Sequence, residues 1–323
     1  MHELLDRLGH PERRYAAIHV VGTNGKSTAT RTIAALLEGA GRRAGAYTSP
    51  HASGWAERIW VGGAEADFER AVARIRPEAE AVGATQFEAL TAAALAEVAE
   101  QRVNVAVVEA GLGGRLDATN VVDAEVVLLT NVSLEHTEVL GDTLEEIAAE
   151  KLAVAHAARV VVASDNKYAN LVPKRAELVT GGAREAAEAF VRHPIAGDAA
   201  ISLPGRFERR GRELWDGAHN PAGTAWLRAR VTERYDVAVA SILADKDVDA
   251  MLADLAQLAP SLIATQSSNA RALPAAELAR RADSHFDDVT TEPDCERALA
   301  RARESDGPIL VTGSLYLLAE LSS

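Results

Sequence analysis

The chain has 323 residues and a formal net charge of −13, and its length suits two domains of about 150 residues each. This acidity, without a cluster of Lys and Arg interleaved with aromatic residues, argues against a nucleic-acid-binding protein. Cys295 is the only cysteine, which excludes an internal disulfide framework, and no uncharged apolar stretch approaches 18 residues, so we expect a cytoplasmic protein without a membrane span.

Apolar runs alternate with helical patterns along the first two thirds of the chain. Strands are predicted at 16–21, 44–48, 103–108, 125–130 and 159–163, and helices at 27–40, 68–81, 87–100 and 143–157. A break is expected at Pro77. The alternation predicts a doubly wound α/β domain with a mainly parallel sheet. Residues 166–202 are weakly patterned, and we place the end of the first domain, residues 1–200, near the end of this stretch.

The rest of the chain repeats the alternation on a smaller scale. Strands are predicted at 212–216, 237–243, 262–265 and 308–312, and a helix at 222–231. Residues 201–323 are therefore expected to form a smaller, Rossmann-like α/β domain.

A glycine-rich turn between the first strand and the first helix carries the clearest chemical signal. It comprises Gly22, Thr23, Asn24, Gly25, Lys26, Ser27 and Thr28. Such a loop cradles phosphates with its N–H groups, its lysine reaches the terminal phosphates and its hydroxyl suits Mg2+. The generic phosphate-loop pattern has a glycine where this chain has Val20, but the working end is intact. The pattern predicts a phosphate-binding loop with a Mg2+ ligand; the alternative is an ordinary turn before a helix.

Three polar residues stand near the ends of later elements. Glu109 closes the strand at 103–108 and could hold Mg2+, although a glutamate at a strand end is by itself more often a solvated loop charge. It leads into a loop with three glycines, which would allow the backbone to approach a ligand closely. Without further context, His136 is typical of a structural loop histidine, and Lys151 of a solvated helix lysine.

In the second domain, a short polar segment joins a strand to a helix. Asn220 can cap a helix that begins at Pro221. That capping does not explain Asp216 and His219, an acid and a histidine at the same strand end. Arg206 is a plausible phosphate contact near the domain junction.

Taken in order, these segments resemble the folylpolyglutamate synthase/dihydrofolate synthase family of the Mur ligase superfamily. The matching segments are 8–11, 19–26, 48–51, 57–59, 87–88 with Thr91, 109–120, His136 with 140–148, 150–151, 203–207, 216–221 and 313–315. Eleven ordered matches are far more specific than a phosphate loop alone. The chain differs from the family in Ser27, where Gly-Lys-Gly-Ser is usual, and in Ala52, where leucine is usual. Residues 152–204 form a shortened central region without a recognisable Gly-x-His-Gln segment.

The resemblance implies an ATP-dependent ligase that phosphorylates a pteroate or folate carboxylate and couples it to the amine of L-glutamate. It implies catalytic roles for Lys26, His136 and Lys151, and metal binding by Ser27, Glu109, His136 and a carbamylated Lys151. Arg206, Asp216 and His219 would contact ATP together with the phosphate loop. The implied substrate-binding residues are Ser49, Pro50, His51, Phe87, Glu88, Asp117, Thr119, Asn120 and Ser314. We expect small-molecule substrates, no nucleic-acid or membrane partner, and a monomer.

Two other functions stay open on the sequence. The Mur-like phosphate loop and the shortened region would also suit a ligase with a different carboxylate acceptor. A nucleotide-binding protein without ligase activity is the third possibility, although folding alone does not require Lys26, Glu109, His136, Lys151, Asp216 and His219 together.

Overall fold

The computed structural model describes residues 1–199 and 201–322. They form two compact α/β units, one made of Met1–Pro50 and Trp55–Ile201, the other of His51–Gly54 and the residues from Ser202 onward. The predicted domain limits, 1–200 and 201–323, end on residues 200 and 323, which lie outside the described residues, and they stay a prediction. No helix within the described ranges is long and apolar enough to cross a membrane.

The N-terminal unit is built from alternating strands and helices. The strands are β1 (Ala16–Val21), β2 (Ala44–Tyr47), β3 (Ile59–Val61), β4 (Ala64–Glu65), β5 (Val105–Glu109), β6 (Val126–Leu129), β7 (Val160–Ala163) and β8 (Glu177–Thr180). The helices are α1 (His2–Arg7), α2 (Lys26–Gly39), α3 (Phe68–Ala81), α4 (Gln86–Glu100), α5 (Thr137–Leu140), α6 (Leu144–Leu152) and α7 (Ala183–Val191).

These strands form one sheet in the order β4-β3-β2-β5-β1-β6-β7-β8. The strands from β2 to β8 in this order pair in parallel, and β3 and β4 are antiparallel additions at one edge. β1 lies between β5 and β6, with Val20 opposite Glu109 and Val21 opposite Leu129. The connections that leave β1, β5 and β6 therefore begin at the same edge of the sheet, where doubly wound folds bind ligands.

The core of the N-terminal unit lies on both faces of its sheet. Ile18 and Val20 belong to the cluster that includes α2 and α7, whereas Ala17 and Val21 belong to the cluster that includes α4. Strands buried on both faces are typical of parallel sheets covered by helices, and they explain why these segments read as continuous apolar runs.

One prediction for this unit was wrong, and two elements were not predicted. Helix α3 continues through Pro77, because its buried Ala71, Ile75 and Ala79 pack on both sides of the proline and compensate for the missing hydrogen bond. The weakly patterned stretch also contains regular structure, since β8 pairs with β7 and α7 follows it. The strand β8 is hard to recognise in the sequence because it is a half-exposed edge strand. The helix α7 is hard to recognise because its fully buried residues are alanines.

The C-terminal unit has a second sheet in the order β13-β12-β11-β14-β10-β9, in which only β9 pairs antiparallel among the described residues. The strands are β9 (Glu208–Arg210), β10 (Glu213–Trp215), β11 (Val237–Ala240), β12 (Ser261–Ala264), β13 (Asp288–Thr291) and β14 (Ile309–Thr312). The helices are α8 (Pro221–Arg230), α9 (Val248–Leu255), α10 (Ala275–Ala282), α11 (Cys295–Ala302) and α12 (Leu315–Leu321). The predicted Rossmann-like second domain is confirmed.

Candidate active site

The glycine-rich turn lies between β1 and α2, as predicted. Gly22 has a φ of +144°, and a Cβ atom there would lie 2.0 Å from Thr130 Oγ1, so only glycine fits. Gly25 has a φ of +78° at the start of α2, and among the described residues a Cβ there would meet nothing within 4 Å. One side of the turn is thus packed against protein and the other is open, which is the arrangement that a ligand-binding loop requires.

The connection after β6 holds the turn in place. Thr23 N donates to Asn131 O at 3.0 Å, and Asn24 N donates to Asn131 Oδ1 at 2.9 Å. Thr130 Oγ1 donates to Asn24 O at 2.8 Å. Sequence reasoning missed this support. The available signal was the position of Thr130 and Asn131 directly after a central strand that ends at the same edge as β1.

Ser27 and Glu109, predicted metal ligands on separate elements, lie together. Ser27 Oγ donates to Glu109 Oε1 at 3.1 Å, and both side chains are buried. The second carboxylate oxygen, Glu109 Oε2, accepts from Ser49 N at 3.0 Å, so Ser49 orients the carboxylate through its backbone. The Ser49–Pro50 peptide bond is cis.

Two lysines meet at the carbonyl of Gly22. Lys26 Nζ donates to Gly22 O and Thr23 O, both at 3.1 Å. Lys151 Nζ donates to Gly22 O at 2.9 Å and forms an ion pair with Glu135 Oε1 at 2.8 Å. Lys151 is therefore not a solvated surface lysine, because only 1% of its surface is exposed.

The electrostatics of Lys151 and Glu135 are coupled. Burial lowers the pKa of Lys151, and the neighbouring Lys26 lowers it further, while Glu135 opposes both effects. Burial would raise the pKa of Glu135, but the ammonium groups of Lys151 and Lys26 hold it below its ordinary value. Sequence reasoning did not single out Glu135, although it directly precedes His136.

The glycine-rich loop after Glu109 corrects one expectation. A Cβ at Gly114 would lie 2.6 Å from Lys151 O and 2.7 Å from Glu150 O, and one at Gly113 would lie 2.8 Å from Leu140 Cδ2. The space beside these glycines is therefore filled by protein, above all the backbone of α6, instead of the predicted ligand. The loop helps to place Lys151. The helix itself begins with a capping box formed by Thr143 and Glu146, as predicted.

His136 lies in the same β6–α5 connection as Glu135. It is half-buried and adopts a left-handed conformation with a φ of +46° directly before α5. Left-handed backbone is uncommon for a non-glycine residue, and such residues cluster at functional sites. The role of His136 as a metal ligand stays a prediction.

Several predicted substrate residues also lie together. Gly111 packs between the ring of Phe87 and the carboxylate of Asp117, since a Cβ there would lie 2.4 Å from Phe87 Cζ and 3.1 Å from Asp117 Oδ2. Thr119 donates to Asp117 Oδ1 through both its amide and its hydroxyl group. Asn120 Nδ2 donates to Arg115 O at 2.8 Å.

Glu88 has a structural role at the start of α4. It forms a capping box with Thr85 and accepts from the amino group of Met1 at 2.6 Å. These hydrogen bonds lower the pKa of Glu88 to about 2. Such contacts are those of a helix cap, and substrate contact by Glu88 stays an untested prediction.

In the C-terminal unit, Asp216 joins two loops. Its oxygens accept from Phe207 N at 2.8 Å and from Ala218 N at 2.9 Å. Burial raises the pKa of Asp216, although these two N–H donors and Arg206 oppose the rise. The carboxylate therefore ties the loop that contains Arg206 to the turn between β10 and α8.

The remaining predicted residues of this unit lie at helix starts. His219 Nδ1 donates to Gly217 O at 2.8 Å, which fixes the orientation of the ring before α8. Asn220 caps α8 by accepting a hydrogen bond from Gly223 N, as the sequence predicted. Ser314 is buried and caps α12 through Tyr316 N. His51 is grouped with the C-terminal unit. The predicted site residues of that unit are therefore His51, Arg206, Asp216, His219 and Ser314.

Comparison with known proteins identifies the family. The Mur ligase middle domain matches residues 20–197, and the Mur ligase glutamate ligase domain matches residues 205–315. A dihydrofolate synthase/folylpolyglutamate synthase of Mycobacterium tuberculosis is 32% identical over 376 aligned positions, which cover 88% of this chain and 77% of the relative. The chain belongs to the folylpolyglutamate synthase/dihydrofolate synthase family. Because 376 exceeds the length of this chain, the alignment contains gaps where the relative has additional residues.

Solved structures of this family support the assignment. The M. tuberculosis folylpolyglutamate synthase complexed with ADP and AMPPCP matches with a TM-score of 0.90 at 30% identity, covering 99% of this chain and 93% of that one. A bifunctional folylpolyglutamate synthase/dihydrofolate synthase with Mn, AMPPNP and L-glutamate bound matches with a TM-score of 0.87 at 27% identity, covering 98% of this chain and 91% of that one.

The residues of this family member suit a hard divalent cation. Ser27 and Glu109 offer a hydroxyl and a carboxylate oxygen within 3.1 Å of each other beside the phosphate loop, and oxygen ligands are those that Mg2+ prefers. In the described ranges, no three His, Cys, Asp or Glu side chains group as metal ligands. That finding does not address the predicted set, which draws on a serine and a modified lysine.

Proposed function

We propose that this chain is an ATP-dependent ligase that joins L-glutamate to the carboxylate of a pteroate or folate through an acyl phosphate. The observation that carries the proposal is the buried Ser27–Glu109 pair beside Lys26, at the phosphate loop of a member of this family. The names and bound molecules of the relatives support the choice of ATP, glutamate and a folate as substrates.

The phosphate loop would bind the nucleotide. The start of α2 would face the phosphates, and the open side at Gly25 leaves room for them. Lys26 would exchange its two carbonyl acceptors for the oxygens of the transferred phosphoryl group.

Ser27 and Glu109 would hold Mg2+, and His136 and a carbamylated Lys151 would complete the metal-binding set. When bound, the cation neutralises charge on the phosphates. Burial and Lys26 both favour the neutral amine of Lys151, the form that reacts with CO2, whereas its ion pair with Glu135 favours the ammonium. Carbamylation would therefore have to separate this pair.

The reaction would proceed in two steps. The acceptor carboxylate attacks the terminal phosphorus of ATP, ADP leaves, and an acyl phosphate forms. The glutamate amine then attacks the acyl carbon, inorganic phosphate leaves with the bonding electrons, and the amine loses a proton. Ordered N–H donors and Lys26 would stabilise the charge that develops in the first step.

The other predicted residues take roles in binding. Arg206, Asp216 and His219 would contact ATP. On the N-terminal unit, Phe87 and Asp117 would bind the acceptor, because an aromatic ring and a carboxylate side by side suit a heteroaromatic ring with N–H donors. A monomeric, cytoplasmic enzyme is part of the same proposal and rests on the resemblance alone.

A phosphate-release assay tests the proposal. Purified protein with ATP and Mg2+ is given dihydropteroate, folate, glutamate, or an acceptor together with glutamate. Release that requires both an acceptor and glutamate supports the proposal, and the preferred acceptor separates dihydrofolate synthase from folylpolyglutamate synthase activity. Release only with another carboxylate would favour a different acceptor, a possibility raised by the gaps in the alignment. Tight ATP binding without any release would favour a protein without ligase activity.

A further inference from the structure

A fully buried histidine lies at the centre of the N-terminal unit. His19 belongs to β1, and its exposed fraction is 0%. Its ring nitrogen Nε2 lies 2.9 Å from Thr119 Oγ1, and Thr119 Oγ1 hydrogen-bonds Asp117 Oδ1. The three side chains thus form one continuous chain of hydrogen bonds from the core to the carboxylate of Asp117.

The direction of each hydrogen bond follows from the chemistry of the end group. As an ionised carboxylate, Asp117 can only accept, so the hydroxyl of Thr119 donates to it. The Thr119 oxygen must then accept from His19, which places the proton of a neutral imidazole on Nε2. Nδ1 of His19 is left unprotonated, and it has no hydrogen-bond partner within the part of the chain that the structure describes.

The charge state of His19 agrees with this direction. Burial lowers the pKa of His19 to about 4; the nearby Asp117 opposes this shift and His156 adds to it. The imidazole is therefore neutral at neutral pH, and its single N–H points along the chain towards Thr119.

The far end of the chain is well defined. Asp117 Oδ1 accepts from the amide and hydroxyl of Thr119, and Oδ2 accepts from Leu112 N at 2.8 Å. The ring of Phe87 lies beside this carboxylate, because a Cβ atom at Gly111 would meet both Phe87 Cζ and Asp117 Oδ2. The carboxylate is held at a set position relative to this aromatic ring, and its Oδ2, which accepts one hydrogen bond, retains a lone pair for a further donor.

We propose that His19 is a positioning residue for the acceptor substrate: its Nε2–H orients the hydroxyl of Thr119, which holds Asp117 beside Phe87 to accept from an N–H group of the acceptor. This inference rests on the proposed function. A buried polar side chain with one unpaired nitrogen is costly compared with an apolar residue in the middle of a strand. A residue that carries this cost is expected to serve the site that it supports.

Steady-state kinetics with two substitutions test the chain of hydrogen bonds. His19→Leu removes the donor, and Thr119→Val removes the hydroxyl with little change of shape. We expect either to raise KM for the acceptor about tenfold, the loss expected for a hydrogen bond to a charged group, with KM for ATP within about twofold. His19→Gln, whose amide can supply a donor in place of Nε2–H, is expected to retain an acceptor KM within about threefold of wild type.

Two further comparisons distinguish positioning from a general structural role. The double variant His19→Leu/Thr119→Val is expected to be no worse than either single variant, because both break the same chain. Thr30→Val is the matched control, since Thr30 is also buried and its hydroxyl has no partner among the described residues. Equal increases in KM for ATP and acceptor, or additive effects in the double variant, would overturn the proposal. Thr119→Val decides the question if His19→Leu does not fold.

A measurement without turnover separates this inference from the proposed function. In ¹⁵N NMR spectra of the whole protein, His19 is expected to show a protonated Nε2 and an unprotonated Nδ1 at pH 7. A protonated Nδ1 would overturn the inference even in an active enzyme. A wild-type protein without acceptor-dependent phosphate release would contradict the proposed function, while the tautomer would still show whether the chain of hydrogen bonds exists.

Discussion

Lys26 and Lys151 donate to the same acceptor, the carbonyl oxygen of Gly22, at 3.1 and 2.9 Å. Of the two, Lys151 is also paired with a carboxylate, that of Glu135. The ammonium group of Lys26 and the start of α2 create a local positive potential in a chain whose formal net charge is −13, whereas the charge of Lys151 is balanced by Glu135. This arrangement explains how an acidic protein can bind a polyanion: a few fixed cations and backbone N–H groups act at short range.

Replacing Lys26 is expected to abolish turnover without unfolding the protein. Lys26→Ala removes the ammonium group from the transferred phosphate, and we expect kcat to fall at least about 100-fold. The midpoint of thermal unfolding should stay within about 2 °C, because the side chain is only partly buried and satisfies two loop carbonyls that can bind water instead. Lys174→Ala, at an exposed lysine, is the control. An unchanged rate in Lys26→Ala would refute the phosphate-loop assignment.

The pair of oxygen ligands predicts a change in metal dependence. Ser27→Ala and Glu109→Gln each remove a ligand of the proposed Mg2+ site, so the Mg2+ concentration for half-maximal phosphate release should rise at least about tenfold. Glu125→Gln serves as the control, because this carboxylate pairs with Arg159 at the opposite end of β6. The same Mg2+ dependence in both site variants and wild type would show that these residues do not hold the metal.

Gly22 is expected to tolerate no side chain. In Gly22→Ala the new Cβ would overlap Thr130 Oγ1 and the backbone has a positive φ, so we expect the free energy of unfolding to fall by about 3 kcal/mol. Gly25→Ala also has a positive φ but no steric conflict with the described residues, and should lose only about 1 kcal/mol. Thr130→Ala should partly restore the stability of Gly22→Ala in denaturant titrations. Equal losses at the two glycines would contradict this steric explanation.

Removing the carboxylate of Glu135 is expected to favour carbamylation of Lys151. Glu135 raises the pKa of Lys151, so Glu135→Gln should lower it, increase the fraction of neutral amine and remove an anion that would repel the carbamate. In ¹³C NMR spectra recorded with ¹³C-bicarbonate, the carbamate signal should be stronger in Glu135→Gln than in wild type and absent in Lys151→Met. Glu138→Gln, at an exposed residue of the same connection, should resemble wild type. Absence of the signal from both wild type and Glu135→Gln would count against a carbamylated lysine.

The buried His19 predicts a loss of stability in weak acid. Its pKa is about 4 in the folded protein and near 6.5 when unfolded, so the unfolded state binds the proton first as the pH falls. The contribution of His19 to the free energy of unfolding is complete above about pH 6.5. About 3 kcal/mol of it is lost as the pH falls towards about 4. His19→Gln should show a flatter dependence of unfolding free energy on pH across this window. The exposed His193→Gln should follow wild type, and parallel curves for wild type and His19→Gln would rule out the buried neutral histidine.

Local patterns in the sequence predicted the elements that carry the site. A β-branched run, a Gly-Lys-Ser turn and an amphipathic segment predict a strand, a phosphate loop and a helix, because each feature depends on residues close together in the chain. The position of Glu109 at a strand end was also sufficient to bring it near Ser27, since parallel central strands end at the same edge. Regular structure in the stretch from 166 to 202 escaped prediction because its strand lies at an edge and its helix buries only small side chains.

The sequence by itself therefore determined the α/β fold, the glycine-rich loop and the nearness of Glu109 to it, whereas only the tertiary structure decided that Lys151 and Glu135 meet there. Lys151 belongs to a helix whose pattern suits a surface lysine, yet packing of Gly114 against that helix directs its ammonium group to Gly22 and Glu135. Contacts between residues far apart in the chain depend on how buried surfaces pack, and hydrophobic periodicity, which reports only which face of an element is buried, does not specify the partner.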